Sequence, residues 1–139
     1  MEKVSRFGVS MNSELLQKFD LFIHKKGYLN RSEAIRDIIR ENLVSQEWKD
    51  SNHETIGTIT LVYGHDAGDI SDRLIECQHN FCDYIISSLH VHIDAHNCLE
   101  VLVVKGIASK IQEIANSLIK NRGVKHGKLT MTTTGRELI

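Results

Sequence analysis

The sequence predicts an α+β chain in two parts: a strand with two helices, then a βαββαβ unit. Two observations support this prediction. In the first part, apolar and polar side chains alternate over Val4–Met11, and apolar ones then recur at helical spacing to about Glu47. In the second part, β-branched runs alternate with two helical stretches. The predicted domains are residues 1–50 and 51–139.

The first predicted strand has no partner nearby in the sequence. Its apolar face consists of Phe7, Val9 and Met11. Its opposite face consists of Arg6, Gly8 and Ser10. A lone strand leaves its backbone groups unpaired, so pairing with the same strand of a second chain is expected.

Two helices are predicted after this strand. Asn12 or Ser13 can cap the first helix, and Gly27 is a typical helix stop. Asn30 followed by Glu33 three residues later predicts the start of the second helix. A strand and two helices form too small a core for a stable monomer, which again favours an intertwined dimer.

The second part follows a polar linker predicted at 48–55, and its first turn is predicted at 64–68. The predicted elements are the strand Ile56–Tyr63, the helix Asp69–Phe81, the strands Tyr84–Ile93 and Cys98–Val104, the helix Ile107–Ile119 and the strand Val124–Thr134. This order is that of the ferredoxin-like motif, whose antiparallel sheet carries helices on one face.

A pattern of potential metal ligands lies in the second and third predicted strands of this part. His90 and His92 are two residues apart, so both imidazoles face the same side of a strand. A hairpin would return Cys98 close to His92, and Glu100 would share the face of Cys98. Two imidazoles and a thiolate suit a transition metal, and a fourth ligand must come from elsewhere. The ferredoxin-like core is expected to exclude these ligand side chains.

The composition excludes several classes of protein. Lys and Arg total 17 against 18 Asp and Glu, so overall charge does not indicate nucleic-acid binding. There is no apolar run of about 18 residues, so no membrane span is expected. Three cysteines without a recognisable secretion signal favour reduced thiols and a cytoplasmic location.

Residues 4–47 resemble the ribbon-helix-helix family of repressors, most specifically in the run Gly27–Asp37. The resemblance implies that the paired strands enter the major groove of double-stranded DNA. The base-reading positions would then be Arg6, Gly8 and Ser10. Arginine suits guanine, whereas Gly8 departs from the family by lacking a side chain. The backbone amides expected to contact phosphate are those of Asn30, Arg31 and Ser32.

The whole chain from Arg6 onward resembles the nickel-responsive transcriptional regulators. The matching segments are Gln78–His79, Leu89–His92, Asn97–Glu100 and Arg122–Gly127. The resemblance implies a ribbon-helix-helix domain followed by a ferredoxin-like (ACT-like) domain that binds metal and forms the tetramer. It also implies a homotetramer, a dimer of dimers, with one Ni(II) per subunit.

The implied nickel ligands are His79, His90, His92 and Cys98, with His79 donated by a neighbouring subunit. A second, weaker cation site is implied at Glu33 and Asp37. His65 and His126 are interpreted as structural or supporting residues, and His96 as solvated.

The function implied is a nickel-dependent repressor that binds a palindromic operator and controls nickel uptake. One alternative is a regulator of the same fold that senses another metal or a small molecule. A metalloenzyme is disfavoured, because four protein ligands leave no open position in a planar site.

Overall fold

The structure is a computed structural model that describes residues 3–66 and 68–139. Ala67, in the turn predicted at 64–68, lies outside the described residues. The chain forms two compact units, one ending at Glu41 and the other spanning Asn42–Ile139. Helix α2 contributes residues to both units, and the domain boundary at residue 50 stays a prediction.

The first unit contains helix α1, Ser13–Lys25, and the start of helix α2, Arg31–Lys49. Both helices begin with the predicted caps. The Asn12 side-chain oxygen accepts a 2.8 Å hydrogen bond from the backbone N–H of Glu14, and Asn30 accepts one of 2.9 Å from Glu33. Gly27, at φ +87°, provides the left-handed residue after α1.

Residues 3–12 form no strand within the described chain, and their side chains are exposed. The apolar Phe7 is 71% exposed, and the buried hydrophobic residues described in this unit are Ile23 and Ala34. A segment without a neighbouring strand cannot make ladder hydrogen bonds. Formation of the Val4–Met11 strand against a second chain therefore stays a prediction.

The second unit is a four-stranded sheet with two helices, and it confirms the βαββαβ prediction. Its elements are β1 Glu54–Gly64, α3 Ile70–Asn80, β2 Ile85–His92, β3 Asn97–Ile107, α4 Ala108–Ile119 and β4 Val124–Met131. The strand order is β2-β3-β1-β4, and every neighbouring pair is antiparallel. The core lies between the central strands β1 and β3 and helix α4, which contributes Ile111, Ile114 and Leu118.

Two sequence-based expectations about this core are wrong. The sequence predicts that Trp48 belongs to a linker, but α2 continues to Lys49. The Trp48 indole is buried and donates a 2.8 Å hydrogen bond to the Thr132 carbonyl. The core was expected to exclude Cys98, yet this side chain is fully buried in it. Both errors have the same cause. Each residue has polar neighbours in the sequence, but residues distant in the sequence bury its side chain.

Gly127 allows β4 to pack closely against α4, and we expect Gly127→Ala to destabilise the second unit. A Cβ atom there would lie 2.5 Å from Ile119 Cγ1, so strand or helix must shift. Overpacking of this kind costs about 1–3 kcal/mol. Urea unfolding measures the loss. Gly8→Ala is the control, since a Cβ at Gly8 meets nothing within 4 Å; equal unfolding free energies for Gly127→Ala and wild type would contradict the packing argument.

Candidate metal centre

The hairpin of β2 and β3 places the predicted histidine ligands of β2 next to the predicted cysteine ligand of β3. His92 pairs directly with Cys98, and His90 pairs with Glu100. This register follows from the tight turn at 94–97, where the Asp94 carboxylate accepts hydrogen bonds from the backbone N–H groups of His96 and Asn97. Hydrogen bonds from the Asn97 side chain to both carboxylate oxygens, together with these backbone bonds, lower the pKa of Asp94 to about 2. The turn therefore holds the two strands in register.

Cys98 lies at the centre of a cluster with two histidines. Its sulfur is 3.0 Å from His65 Nδ1 and 3.6 Å from His92 Nδ1. Among the described residues, His65, His92 and Cys98 form a group whose potential ligand atoms all lie within 4.8 Å of one another. The sequence predicts a structural or supporting role for His65, whereas the structure places it closer to the thiol than His92. The signal that could have found it is its position just after β1, whose Tyr63 pairs with Cys98.

His90 lies beside this cluster, with its ring centroid 5.1 Å from that of His92. The Tyr63 hydroxyl connects His90 to Glu100: it is 3.3 Å from His90 Nδ1 and donates a 3.3 Å hydrogen bond to Glu100 Oε2. Gln78 donates a 2.9 Å hydrogen bond to the other Glu100 oxygen. Burial, with the nearby Glu100 carboxylate, raises the pKa of Tyr63, so its hydroxyl remains a donor.

For neutral imidazoles, these contacts favour one ring tautomer for His65 and one for His90. The Ala95 carbonyl, 2.6 Å from His65 Nε2, can only accept, so Nε2 donates and Nδ1 presents a lone pair toward Cys98. The Tyr63 proton goes to Glu100, so a neutral His90 donates from Nδ1 to the tyrosine oxygen. His90 Nε2 then holds the lone pair that a metal requires.

His79 is not part of this cluster within one described chain. It is exposed in the last turn of α3, next to Gln78, whose side chain contacts Glu100. His96, at the hairpin turn, is exposed as expected, and its Nδ1 also lies 2.6 Å from an Asp66 carboxylate oxygen. That pairing raises the pKa of His96 and lowers the pKa of Asp66.

Comparison with known proteins identifies the family of this chain and of its metal-binding domain. The family model of the NikR C-terminal nickel-binding domain matches residues 56–132. A nickel-responsive regulator of Thermococcus onnurineus is 61% identical over 137 residues, 99% of each chain. The chain belongs to the nickel-responsive regulator family. Proteins of the same name are 59% identical over 138 residues in Geotalea uraniireducens, 99% of each chain, and 58% over 134 residues in Pyrococcus horikoshii, 96% of this chain and 97% of that one.

A solved structure supports the fold of the nickel-binding domain. An uncharacterised protein of Thermotoga maritima superposes with a TM-score of 0.50 at 20% identity, covering 55% of this chain and 95% of its own. At this level of identity the likeness shows the fold alone.

The residues of the cluster fit the ion after which the family is named. Imidazole nitrogens and a thiolate are donors that Ni(II) accepts. A nickel ion held by these residues would favour the thiolate form of Cys98. Until a metal binds, the lone pair of His65 Nδ1 can accept the thiol proton, and the Tyr63–Glu100–Gln78 contacts fix the orientation of His90.

The regulator's predicted DNA-contacting residues lie in the first unit. Arg6, Gly8 and Ser10 are exposed, and the space around Gly8 is open. Asn30 caps α2, and Ser32 is exposed in its first turn. Arg31 forms a bidentate pair with Asp20 through bonds of 2.9 and 2.8 Å. This pair lowers the pKa of Asp20, and a phosphate would compete with it for Arg31.

The described residues do not form a metal-ligand cluster at Glu33 and Asp37, where the family resemblance implies a second cation site. Both Asp37 carboxylate oxygens accept hydrogen bonds, from the Tyr28 hydroxyl at 2.8 Å and from Arg40 at 3.2 Å. Neither acid belongs to a described group of three potential metal ligands.

In the described part of the regulator, no helix is long and apolar enough to span a membrane.

Proposed function

We propose that this chain is a nickel-dependent transcriptional repressor that binds one Ni(II) per subunit and then a palindromic operator, controlling nickel uptake in the cytoplasm. The observation that carries the proposal is the convergence of His92, His65 and the buried Cys98 thiol in a nickel-binding domain. The role is regulatory rather than enzymatic, as the names of the relatives support.

The ligand set we propose is His90, His92 and Cys98 of one subunit and His79 of a neighbour. His92 and Cys98 are already paired across the hairpin, and His90 Nε2 keeps a free lone pair. His79 is exposed at the end of α3, so it is available to a second subunit. Planar coordination by four such donors is natural for Ni(II), whereas zinc prefers a tetrahedron.

The DNA-binding surface we propose is the paired N-terminal segment of two chains. Arg6 and Ser10 would contact bases, while Asn30, Arg31 and Ser32 would hold a phosphate at the start of α2. Glu33 and Asp37 would contribute to a second cation site once the Tyr28 and Arg40 contacts of Asp37 rearrange. A bridging nickel would bias two such dimers toward operator spacing, and linkage requires operator DNA to tighten nickel binding by the same factor.

Selection from a random duplex library tests this function directly. We expect the full chain with Ni(II) to enrich a palindromic sequence, and titration of that duplex to show binding about 5- to 150-fold tighter with nickel than with a chelator. Equal affinities under the two conditions would contradict nickel dependence. Tightening by Zn(II) but not by Ni(II) would favour a regulator that senses another metal.

Assembly is tested separately by sedimentation equilibrium. The exposed apolar side chains of the N-terminal segment, such as Phe7 and Val9, have no cover within the described chain. We expect dimers at least, and tetramers of two dimers at micromolar concentration. A stable monomer at that concentration would exclude both the shared strand pair and a nickel site completed by His79 of a neighbour.

A further inference from the structure

A second cluster of potential metal ligands lies in the second unit, close to the C-terminal end of α2. It consists of Glu47, His53 and Glu137, whose potential ligand atoms all lie within 4.8 Å of one another. It lines a cavity of about 280 Å³. None of these residues takes part in the nickel centre or in the proposed DNA surface.

Glu47 is the unusual member of the cluster. Its side chain is only 9% exposed, and its Oε2 atom is buried without a hydrogen-bond partner. His53 Nε2 lies 3.9 Å from the other oxygen, too far for a hydrogen bond. A buried carboxylate oxygen without a hydrogen bond is costly, and a cation is the partner that stabilises it most. Glu47 lines the same cavity as His53 and Glu137.

The backbone holds His53 in place before any ligand binds. Its N–H donates to the Asp50 carbonyl at 3.0 Å, and its carbonyl accepts from the Ala108 N–H at 3.0 Å. The neighbouring Ser51 carbonyl accepts from the Ser109 hydroxyl at 3.0 Å. The loop between α2 and β1 is thereby fixed to the start of α4, and the imidazole is held next to Glu47.

Glu137 reaches the cluster because the C-terminal segment is held against α2 and β1. The Thr132 carbonyl accepts from the Trp48 indole at 2.8 Å and from the Thr55 hydroxyl at 3.0 Å. Gly135, at φ +77°, then turns the chain, and Arg136 pairs with Glu54 at 3.4 Å. The turn at Gly135 returns Glu137 toward the end of α2.

We propose that Glu47, His53 and Glu137 bind a divalent transition-metal ion of the zinc class and fix the C-terminal segment to the end of α2. One imidazole and two carboxylates are a donor set that such ions accept, with water completing the coordination. Metal–ligand bonds of about 2.0–2.2 Å place tetrahedral donors roughly 3.4 Å apart, so donor atoms that now lie within 4.8 Å of one another must approach by at most about 1.4 Å. Glu137, the exposed member on the C-terminal segment, can make that movement.

Zinc binding tests the site in a full chain whose nickel centre has been removed. In a His92→Ala, Cys98→Ala background we expect one Zn(II) per chain, measured by competition with a chromophoric chelator. Adding His53→Gln or Glu137→Gln should weaken that binding at least 10-fold. His24→Gln, which alters an exposed histidine of α1, should leave it unchanged. Equal zinc affinity in the background and in both cluster variants would overturn the proposal.

Trypsin provides a second readout that does not depend on the count of bound ions. Cleavage after Arg136 releases the last three residues, including Glu137, and mass spectrometry follows it. We expect Zn(II) to slow this cleavage at least 10-fold in the background chain and not in its His53→Gln variant. Zinc-independent cleavage in both chains would show that no metal holds this segment. Because the background lacks the nickel centre, neither result depends on the proposed nickel response.

Discussion

Cys98→Ala is expected to abolish the nickel-dependent gain in operator affinity, a loss of about 5- to 150-fold at saturating nickel. Cys98 is the proposed thiolate donor, and its sulfur lies between His65 and His92. Without it, no thiolate-to-nickel charge-transfer absorption should appear in the near ultraviolet. The measurement is a DNA-binding titration with and without stoichiometric nickel, accompanied by the absorption spectrum.

The control for this variant is Cys82→Ala, because the Cys82 side chain is exposed in the turn that follows α3. It should keep both the absorption band and the nickel response. Cys98 is fully buried in the core, so Cys98→Ala is also expected to lose about 1 kcal/mol of stability. Thermal unfolding must confirm that the variant is folded at the titration temperature. A folded Cys98→Ala protein with the wild-type nickel enhancement would remove Cys98 from the sensing site.

Arg6→Ala is expected to weaken operator binding by about 1–3 kcal/mol for each half-site and to relax sequence preference. The side chain is exposed on the face predicted to enter the major groove. A guanidinium can donate two hydrogen bonds to one guanine base. A symmetric dimer doubles the number of lost contacts. The measurement compares binding to the selected palindrome and to single-base variants of it.

Lys128→Ala is the matched control, since it removes an exposed positive charge from β4 in the other unit. It should leave sequence preference unchanged. Nickel affinity without DNA should be the same in Arg6→Ala and wild type, because the nickel ligands belong to the second unit. Wild-type affinity and preference in Arg6→Ala would show that Arg6 does not contact bases.

Local sequence patterns determined much of this structure. The caps at Asn12 and Asn30, the glycine after α1 and the βαββαβ order were all predicted, because short-range periodicity and capping chemistry reside in neighbouring residues. The His90-x-His92 spacing and the return to Cys98 were also predictable, since strand alternation and a tight turn fix which side chains face one another. The resemblance to a known family added His79 as a ligand, which the single described chain does not bring to the site.

Tertiary structure alone decided the contacts between residues far apart in the chain. His65 lies 33 positions before Cys98, and only the pairing of β1 with β3 brings them to 3.0 Å. The sequence predicts a polar linker at Trp48, whereas in the structure its indole donates to the Thr132 carbonyl, 84 positions later in the chain. Glu47, His53 and Glu137 form no motif, because the fold of the C-terminal segment is what assembles them. Sequence patterns thus determined the elements and the hairpin ligands, whereas long-range packing determined which other side chains surround them.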